Sequence, residues 1–260
     1  MANSISLITI NLNNAEGLRD TLNSIYFQEE RPFEHIIIDG GSTDHSLTVI
    51  NDYNDKISNY VTSKDNGIYC AMNKGASISK GEWIGFLNSG DIFYPEVISE
   101  LSYELDQDCY DFTIGNVVIA DINKNKIYKK TPIFNNDGML TSMEMPAAHM
   151  SIFVRKSIFN EIGGFDEDLK ISSDFDFVNR LLAHSQKYYS IKKTVGEFYL
   201  GGVSGNITRL QEDLIVLRKH NPTKNLHVLM LRKYLSYCLG VVIPLRLRVL
   251  MKKIFKIKND

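Results

Sequence analysis

Four apolar, β-prone runs in the first third of the chain each end in a polar cluster, and helix-spaced segments separate them. Ile5–Leu12 runs into Asn11–Asn14, and His35–Asp39 into Gly40-Gly41-Ser42-Thr43-Asp44. A run near Tyr60–Ser63 leads into Ser63–Gly67, and Trp83–Leu87 into Asn88–Asp91. Runs of this length suit buried strands. Between them Leu18, Leu22, Ile25 and Tyr26 recur at helical spacing, and helices are expected over about Ser46–Asn54 and Tyr69–Ser79. Val97, Ile98, Leu101 and Leu105 line another helix, with Pro95 suited to its first turn. Strands alternating with helices predict an α/β fold, a mostly parallel Rossmann-type sheet sandwiched by helices. Such sheets bind ligands at the carboxyl ends of their strands, where the four polar clusters converge.

The second half is less regular. Phe112–Ala120 and Lys126–Lys130 fit a hairpin around Asn123-Lys124-Asn125, and Thr131–Ala148 has the length of a binding loop or lid. Ser151–Val154 reads as a strand, Phe175–Ala183 as a helix, and Gly201-Gly202 follows a strand ending at Tyr199. The 260 residues allow one large domain, 1–221, with an appendage, 222–260. The appendage holds nine of the 29 Lys and Arg residues but, of the 31 acidic ones, only Asp260. Within it Ile243, Leu247, Leu250, Ile254 and Ile257 form one apolar helical face beside Arg246, Arg248, Lys252, Lys253 and Lys256. That pattern suits a helix lying on an anionic membrane surface; a helix packed on the domain with a solvated basic face is the alternative. The uncharged run Tyr234–Leu245 is too short to span a bilayer. A net charge of −2 argues against nucleic-acid binding. Cys70, Cys109 and Cys238 have no zinc or disulfide spacing, and the N-terminus reads as a strand rather than a signal peptide. A cytoplasmic protein is expected.

No GxGxxG follows the first strand and no P-loop is present, so dinucleotide and P-loop chemistry are disfavoured. Four segments, SLITINLNN (6–14), IIIDGGSTDHS (36–46), SKDNGIYCAMNKGASISKGEWIGFLNSGD (63–91) and GGFDEDLKISSDFDFVNRL (163–181), resemble glycosyltransferase family 2, in order and spacing. GIYCAMNKG followed by FLNSGD is the most specific part. The resemblance implies a GT-A fold for the body of the chain, to which the periodicity adds a C-terminal helical appendage, and it implies an inverting transfer from a nucleotide-sugar with a UDP-sugar as donor. It is similar to the branch that builds bacterial surface polysaccharides, which implies a saccharide acceptor on a lipid diphosphate at the inner face of the cytoplasmic membrane.

Residue by residue, the resemblance gives Asp39 to the uridine base, although an aspartate there also serves as a loop cap. Asn11, Gly41, Ser42, Asp65, Asn73, Lys74, Asn88 and Ser89 are the other candidate donor contacts; Lys74 also suits a solvated face. Asp91 matches the last acid of the family's metal motif and would hold Mn²⁺ or Mg²⁺, hard ions that prefer oxygen. Asn88 and Gly90 stand where many members have Asp, and an N-capping role is the alternative for Asp91. Asp174 matches the general base, with Asp176 beside it orienting a neighbour; both also suit a helix N-terminus. Cys70 and Leu12 replace a frequent Asp and a frequent aromatic residue. His149 is a candidate contact to acceptor or phosphate. Two rivals remain open: a sugar-phosphate nucleotidyltransferase, whose usual Gly-rich loop is missing, and a catalytically silent scaffold of a polysaccharide assembly.

Overall fold

The computed structural model describes residues 4–105, 109–120, 126–132, 145–199 and 207–220, with the side chains of 126–128 and 207 left aside. Strand β1 (Ile5–Asn11) is buried along its whole length. Helix α1 (Ala15–Tyr26) starts where Asn14 Oδ1 accepts the Gly17 N–H at 3.2 Å, and it buries Leu18, Leu22, Ile25 and Tyr26. Then come β2 (Glu34–Asp39), α2 (Ser46–Asp52), β3 (Asn59–Thr62), α3 (Ile68–Ile78) and β4 (Trp83–Phe86). The central strands β1, β2 and β4 are wholly buried, as a parallel sheet covered on both faces requires.

The chain continues through β5 (Ile92–Phe93), α4 (Val97–Glu104), β6 (Phe112–Ala120) and β7 (Lys126–Lys130). A 3₁₀ turn at His149–Ser151 leads to β8 (Phe153–Arg155), α5 (Lys156–Glu161), α6 (Ser173–His184), β9 (Tyr188–Tyr199) and α7 (Ile207–His220). The sheet runs β3-β2-β1-β4-β8-β6-β9-β5, with β7 paired to β6. Strands β3, β2, β1 and β4 are mutually parallel, β8 turns antiparallel to β4, and β9 lies parallel to β6.

Alternate residues of β1 face opposite sides. Ile5 and Leu7 join the core under α1, α2 and α4, and Ile8 and Ile10 the core under α3, α5 and α6. Helix α3 approaches the sheet closely through Gly75, where a Cβ would stand 2.4 Å from Ile8 Cγ2. A third small core joins Leu169 and Phe175 to Val216 and Leu217 of α7.

The α/β sandwich expected from the sequence is the fold observed, and some details differ. Pro95 lies outside the first turn of α4, because Glu96 takes a left-handed conformation (φ 68°) and caps the helix at Val97. The strand expected at Ser151–Val154 begins two residues later, since the 3₁₀ turn takes up Ser151. Helices α5 and α7 and strand β5 had no clear sequence signal. The basic tail (222–260), Cys238, Gly201-Gly202, the turn at 123–125 and most of the 131–148 stretch lie outside the described residues.

Candidate active site

In the order β3-β2-β1-β4, successive connections leave β1 in opposite directions, so a crevice opens between the ends of β1 and β4. The β1 loop (Asn11–Asn14) and the β4–β5 turn (Asn88–Asp91) flank it. Asn14 Nδ2 donates to Ser89 O at 3.0 Å, tying one to the other. Thr21 Oγ donates to Asp91 O at 2.7 Å and accepts from Gly90 N at 2.9 Å, which anchors the turn on α1. Gly90 has φ 103°, a conformation that favours glycine.

The β2 loop is closed on itself. Asp39 is 0% exposed. Its Oδ1 accepts from Asn11 Nδ2 (2.8 Å) and Ser42 Oγ (2.6 Å), and its Oδ2 from Gly41 N (3.2 Å) and Ser42 N (2.9 Å). Four donors fill the lone pairs of an ionised carboxylate. Within the chain, the Asp39 carboxylate thus organises the β2 loop. Asn11 and Ser42 are spent in the same knot, with Ser42 Oγ also accepting from Asn13 N at 2.8 Å. Gly41 (φ 84°) makes the turn, and a Cβ there would stand 3.2 Å from Lys64 N.

Half-buried beside this knot sits Asp65. Its Oδ1 accepts from Gly67 N at 3.0 Å. Its Oδ2 lies 2.8 Å from where a side chain on Gly40 would begin, so the Asp65 carboxylate fills the space left by that glycine. Leu12, 57% exposed, adjoins the same spot at 3.3 Å. Lys74 donates to Ser63 Oγ at 2.7 Å just behind. Asn73 does not join them. Its amide donates to Phe165 O and Glu167 Oε1, both at 2.9 Å, and accepts from Phe165 N at 2.9 Å. Its expected donor contact becomes a clamp on the 165–167 loop.

Across the crevice, Asp91, Asn88 and His149 converge. His149 Nε2 lies 3.2 Å from Asn88 Nδ2 and 3.8 Å from Asp91 Oδ2. Asp91 Oδ1 accepts from Tyr199 N at 3.1 Å. Burial pushes the Asp91 carboxyl up to about 8, against a weaker opposite pull from the Tyr199 N–H. Burial also lowers the basicity of His149, which favours the neutral imidazole. Among the described residues, Asn88 Oδ1 is buried without a hydrogen-bond partner. No group of three His, Cys, Asp or Glu side chains that could hold a metal occurs among the described residues. The Asp91 carboxylate and the Asn88 amide oxygen are nevertheless oxygen donors of the kind that Mn²⁺ and Mg²⁺ take. The desolvated charge and the orphaned oxygen are what a cation there would satisfy.

His149 also lines a cavity with Asp174, walled by Met72, Phe86, Phe165 and Phe177. Asp174 is the second residue of α6. Tyr69 OH lies 2.6 Å from Ile171 O and 3.2 Å from Asp174 Oδ1. Tyr69 sits inside GIYCAMNKG and is a partner the sequence reading passed over. Its burial at an apolar helix position hid the polar use of its hydroxyl. Asp176 points the other way. It is fully buried against Arg180 Nε (2.8 Å), His220 Nε2 (2.8 Å) and Lys219 Nζ (3.0 Å). Burial opposes its charge, yet these three donors hold it below the usual carboxylate range. The neighbours it orients are these three, and through them the carboxylate joins α6 to α7.

Residues 6–166 match the sequence model of glycosyl transferase family 2. A PGL/p-HBAD biosynthesis glycosyltransferase of Mycobacterium bovis is 27% identical over 211 residues, 78% of this chain and 79% of the relative. An uncharacterized glycosyltransferase of Mycobacterium tuberculosis is 30% identical over 186 residues, 69% of each chain. Among solved structures, S. aureus TarS 1-349 in complex with UDP superposes with a TM-score of 0.65 at 17% identity, covering 91% of this chain and 73% of that one. The mannosyltransferase PcManGT from Pyrobaculum calidifontis, in complex with GDP-Man and Mn²⁺, gives 0.66 at 12% identity, covering 97% and 75%. These two likenesses speak to the fold, the GT-A architecture.

Proposed function

This chain belongs to glycosyl transferase family 2, and we propose that it moves a sugar from a uridine diphosphate sugar to a saccharide hydroxyl in a single inverting displacement. One observation carries the reading. His149 belongs both to the Asp91–Asn88 cluster and to the cavity that the Asp174 carboxylate lines. The relatives' names favour transfer over the nucleotidyltransferase and scaffold alternatives. That neighbours of the same fold were solved with UDP and GDP-Man supports a nucleotide-sugar as the donor class.

Asp65 accepts the N–H of the pyrimidine edge, and Leu12 packs on the base face. Asp174 takes the proton of the acceptor hydroxyl as its oxygen bonds to the anomeric carbon. The bond from that carbon to the diphosphate oxygen breaks on the opposite face, and the nucleotide leaves with the electron pair. Tyr69 steadies Asp174 from below. A Mn²⁺ or Mg²⁺ ion held by Asp91 and Asn88 supplies, when bound, charge stabilisation for the diphosphate.

A thermal-shift panel of UDP-, GDP- and TDP-sugars with Mn²⁺ tests the donor. At 100 Kd a ligand stabilises by about 2.7 kcal/mol, which for a chain of this size raises Tm by roughly 5–10 °C. A UDP-sugar is expected to give the largest rise. Asp65→Ala should weaken UDP binding about tenfold, the worth of one base hydrogen bond with a charged acceptor. A larger shift with a GDP-sugar, or unchanged UDP affinity in the variant, contradicts the reading.

The acceptor we assign is a sugar on a lipid diphosphate, reached by the basic apolar-faced tail on an anionic membrane. Among the described residues no helix is long and apolar enough to cross a membrane. Truncation after Asn221 is expected to leave donor turnover intact and to abolish salt-sensitive binding to phosphatidylglycerol vesicles. Equal vesicle binding by both forms would remove the tail from the account.

A further inference from the structure

Helix α6 carries the proposed base, and its N-cap residue turns its side chain to another element. Its N-cap residue, Ser172, makes no capping bond from its side chain. Ser172 Oγ instead donates to Asp213 Oδ1 of α7 at 2.7 Å. The three N–H groups just ahead of the helix converge on one carboxylate of the same distant element. Glu212 Oε1 accepts from Lys170 N at 2.9 Å, and Glu212 Oε2 from Ile171 N at 2.8 Å and Ser172 N at 2.9 Å. Glu212 is 7% exposed, so water competes little for these bonds. The peptide it grips is the one that meets Tyr69, because Ile171 O receives the Tyr69 hydroxyl that also faces Asp174.

We infer that Glu212 is a positioning residue for the transfer: by holding the backbone of residues 170–172, it sets where α6 begins and hence where the Asp174 carboxylate stands. The inference rests on Asp174 being the base. Asp174 lies two residues beyond the gripped segment, and its Oδ1 accepts from Phe175 N at 2.8 Å and faces Tyr69 OH at 3.2 Å, so a shift of the segment moves the carboxylate against Tyr69. Leu169 and Phe175, on either side of the segment, pack against Val216 and Leu217, so α7 holds it by apolar contact as well as by Glu212. Asp176, pinned to His220 and Lys219, fastens the first turn of α6 to the far end of α7. With Glu212 truncated, three consecutive N–H groups lose their acceptor while the apolar contacts remain. The expected result is a displaced segment rather than an undocked helix. A misplacement of about 1 Å at a reacting group costs about 10²-fold in rate.

The test is a double-mutant cycle on the full chain, with Glu212→Ala and Glu212→Gln each made alone and in an Asp174→Asn background. UDP release from UDP-glucose, UDP-galactose and UDP-N-acetylglucosamine with Mn²⁺ is the activity probe. Hydrogen–deuterium exchange of the 170–178 peptide is the structural one. Glu212→Ala alone should lower kcat by about 10–100-fold with donor KM within twofold, and should raise exchange over 170–178. In the Asp174→Asn background the same change should lower kcat less than twofold, since residues acting through one group are not additive. Glu212→Gln, which keeps one oxygen, should fall between and serves if the alanine variant does not fold. An equal loss in both backgrounds, unchanged kcat, or unchanged exchange would overturn the inference. Near-normal turnover by Asp174→Asn alone would instead remove the base assignment, a separate failure visible in the same cycle.

Discussion

Asp174→Asn is expected to lower turnover by about 10²–10⁴-fold, the usual contribution of a positioned general base. The amide keeps the shape of the side chain and can still accept from Tyr69 OH, which stands 3.2 Å from Oδ1 in the native protein. It cannot take a proton at neutral pH. Donor affinity should stay within about twofold, because Asp65 and the Asp91 cluster lie at other strand ends. The product's anomeric proton, read by NMR, should report inversion, since one displacement on the face opposite the nucleotide permits no other outcome. Near-normal turnover would move the base elsewhere. Retained configuration would rule out a single displacement.

Asp91→Asn should separate function from stability. The native carboxylate is buried, and burial, partly offset by the Tyr199 N–H, pushes it up to about 8. Holding a charge there without a cation costs on the order of several kcal/mol. Asparagine keeps an acceptor for the Tyr199 N–H, 3.1 Å from Oδ1 in the native chain, and removes the charge. In buffer with excess EDTA the variant should melt about 2 °C or more above the native protein, since 1 kcal/mol corresponds to roughly 2–4 °C at this size. With Mn²⁺ present the order should reverse. The native protein should gain stability from metal and UDP together, while the variant should gain little and lose turnover by at least about 10²-fold. Full native activity in excess EDTA would refute a metal at Asp91. A variant that melts lower in EDTA would show that the carboxylate is compensated by the fold itself.

Much of this architecture was legible in the sequence because its determinants are local. Ile36, Ile37 and Ile38 are buried in a parallel strand for the reason their run suggested, since a strand covered on both faces needs apolar residues on both. Leu18, Leu22 and Ile25 face one core because 3.6 residues make a turn. The polar ends of these strands marked the crevice before any coordinate did. The family resemblance singled out Asp91 and Asp174, which stand in the turn after β4 and in the first turn of α6.

What a sequence does not carry is the partner each polar side chain finds across the fold. Asp39 and Asp65 are both aspartates at strand ends. Only tertiary structure decided that four donors close around Asp39, while the Asp65 carboxylate occupies the space over Gly40. Asp174 and Asp176 are two residues apart on one helix, and the 3.6-residue period turns them to different faces. One meets Tyr69 and the His149 cavity, while the other meets Arg180, Lys219 and His220. Glu212, in a helix the pattern did not announce, grips a loop about forty residues earlier in the chain. Hydrophobic periodicity is a property of neighbours in sequence and fixes the scaffold. Hydrogen-bond satisfaction is a property of neighbours in space, and it closes the Asp39 and Asp176 carboxylates inside the fold.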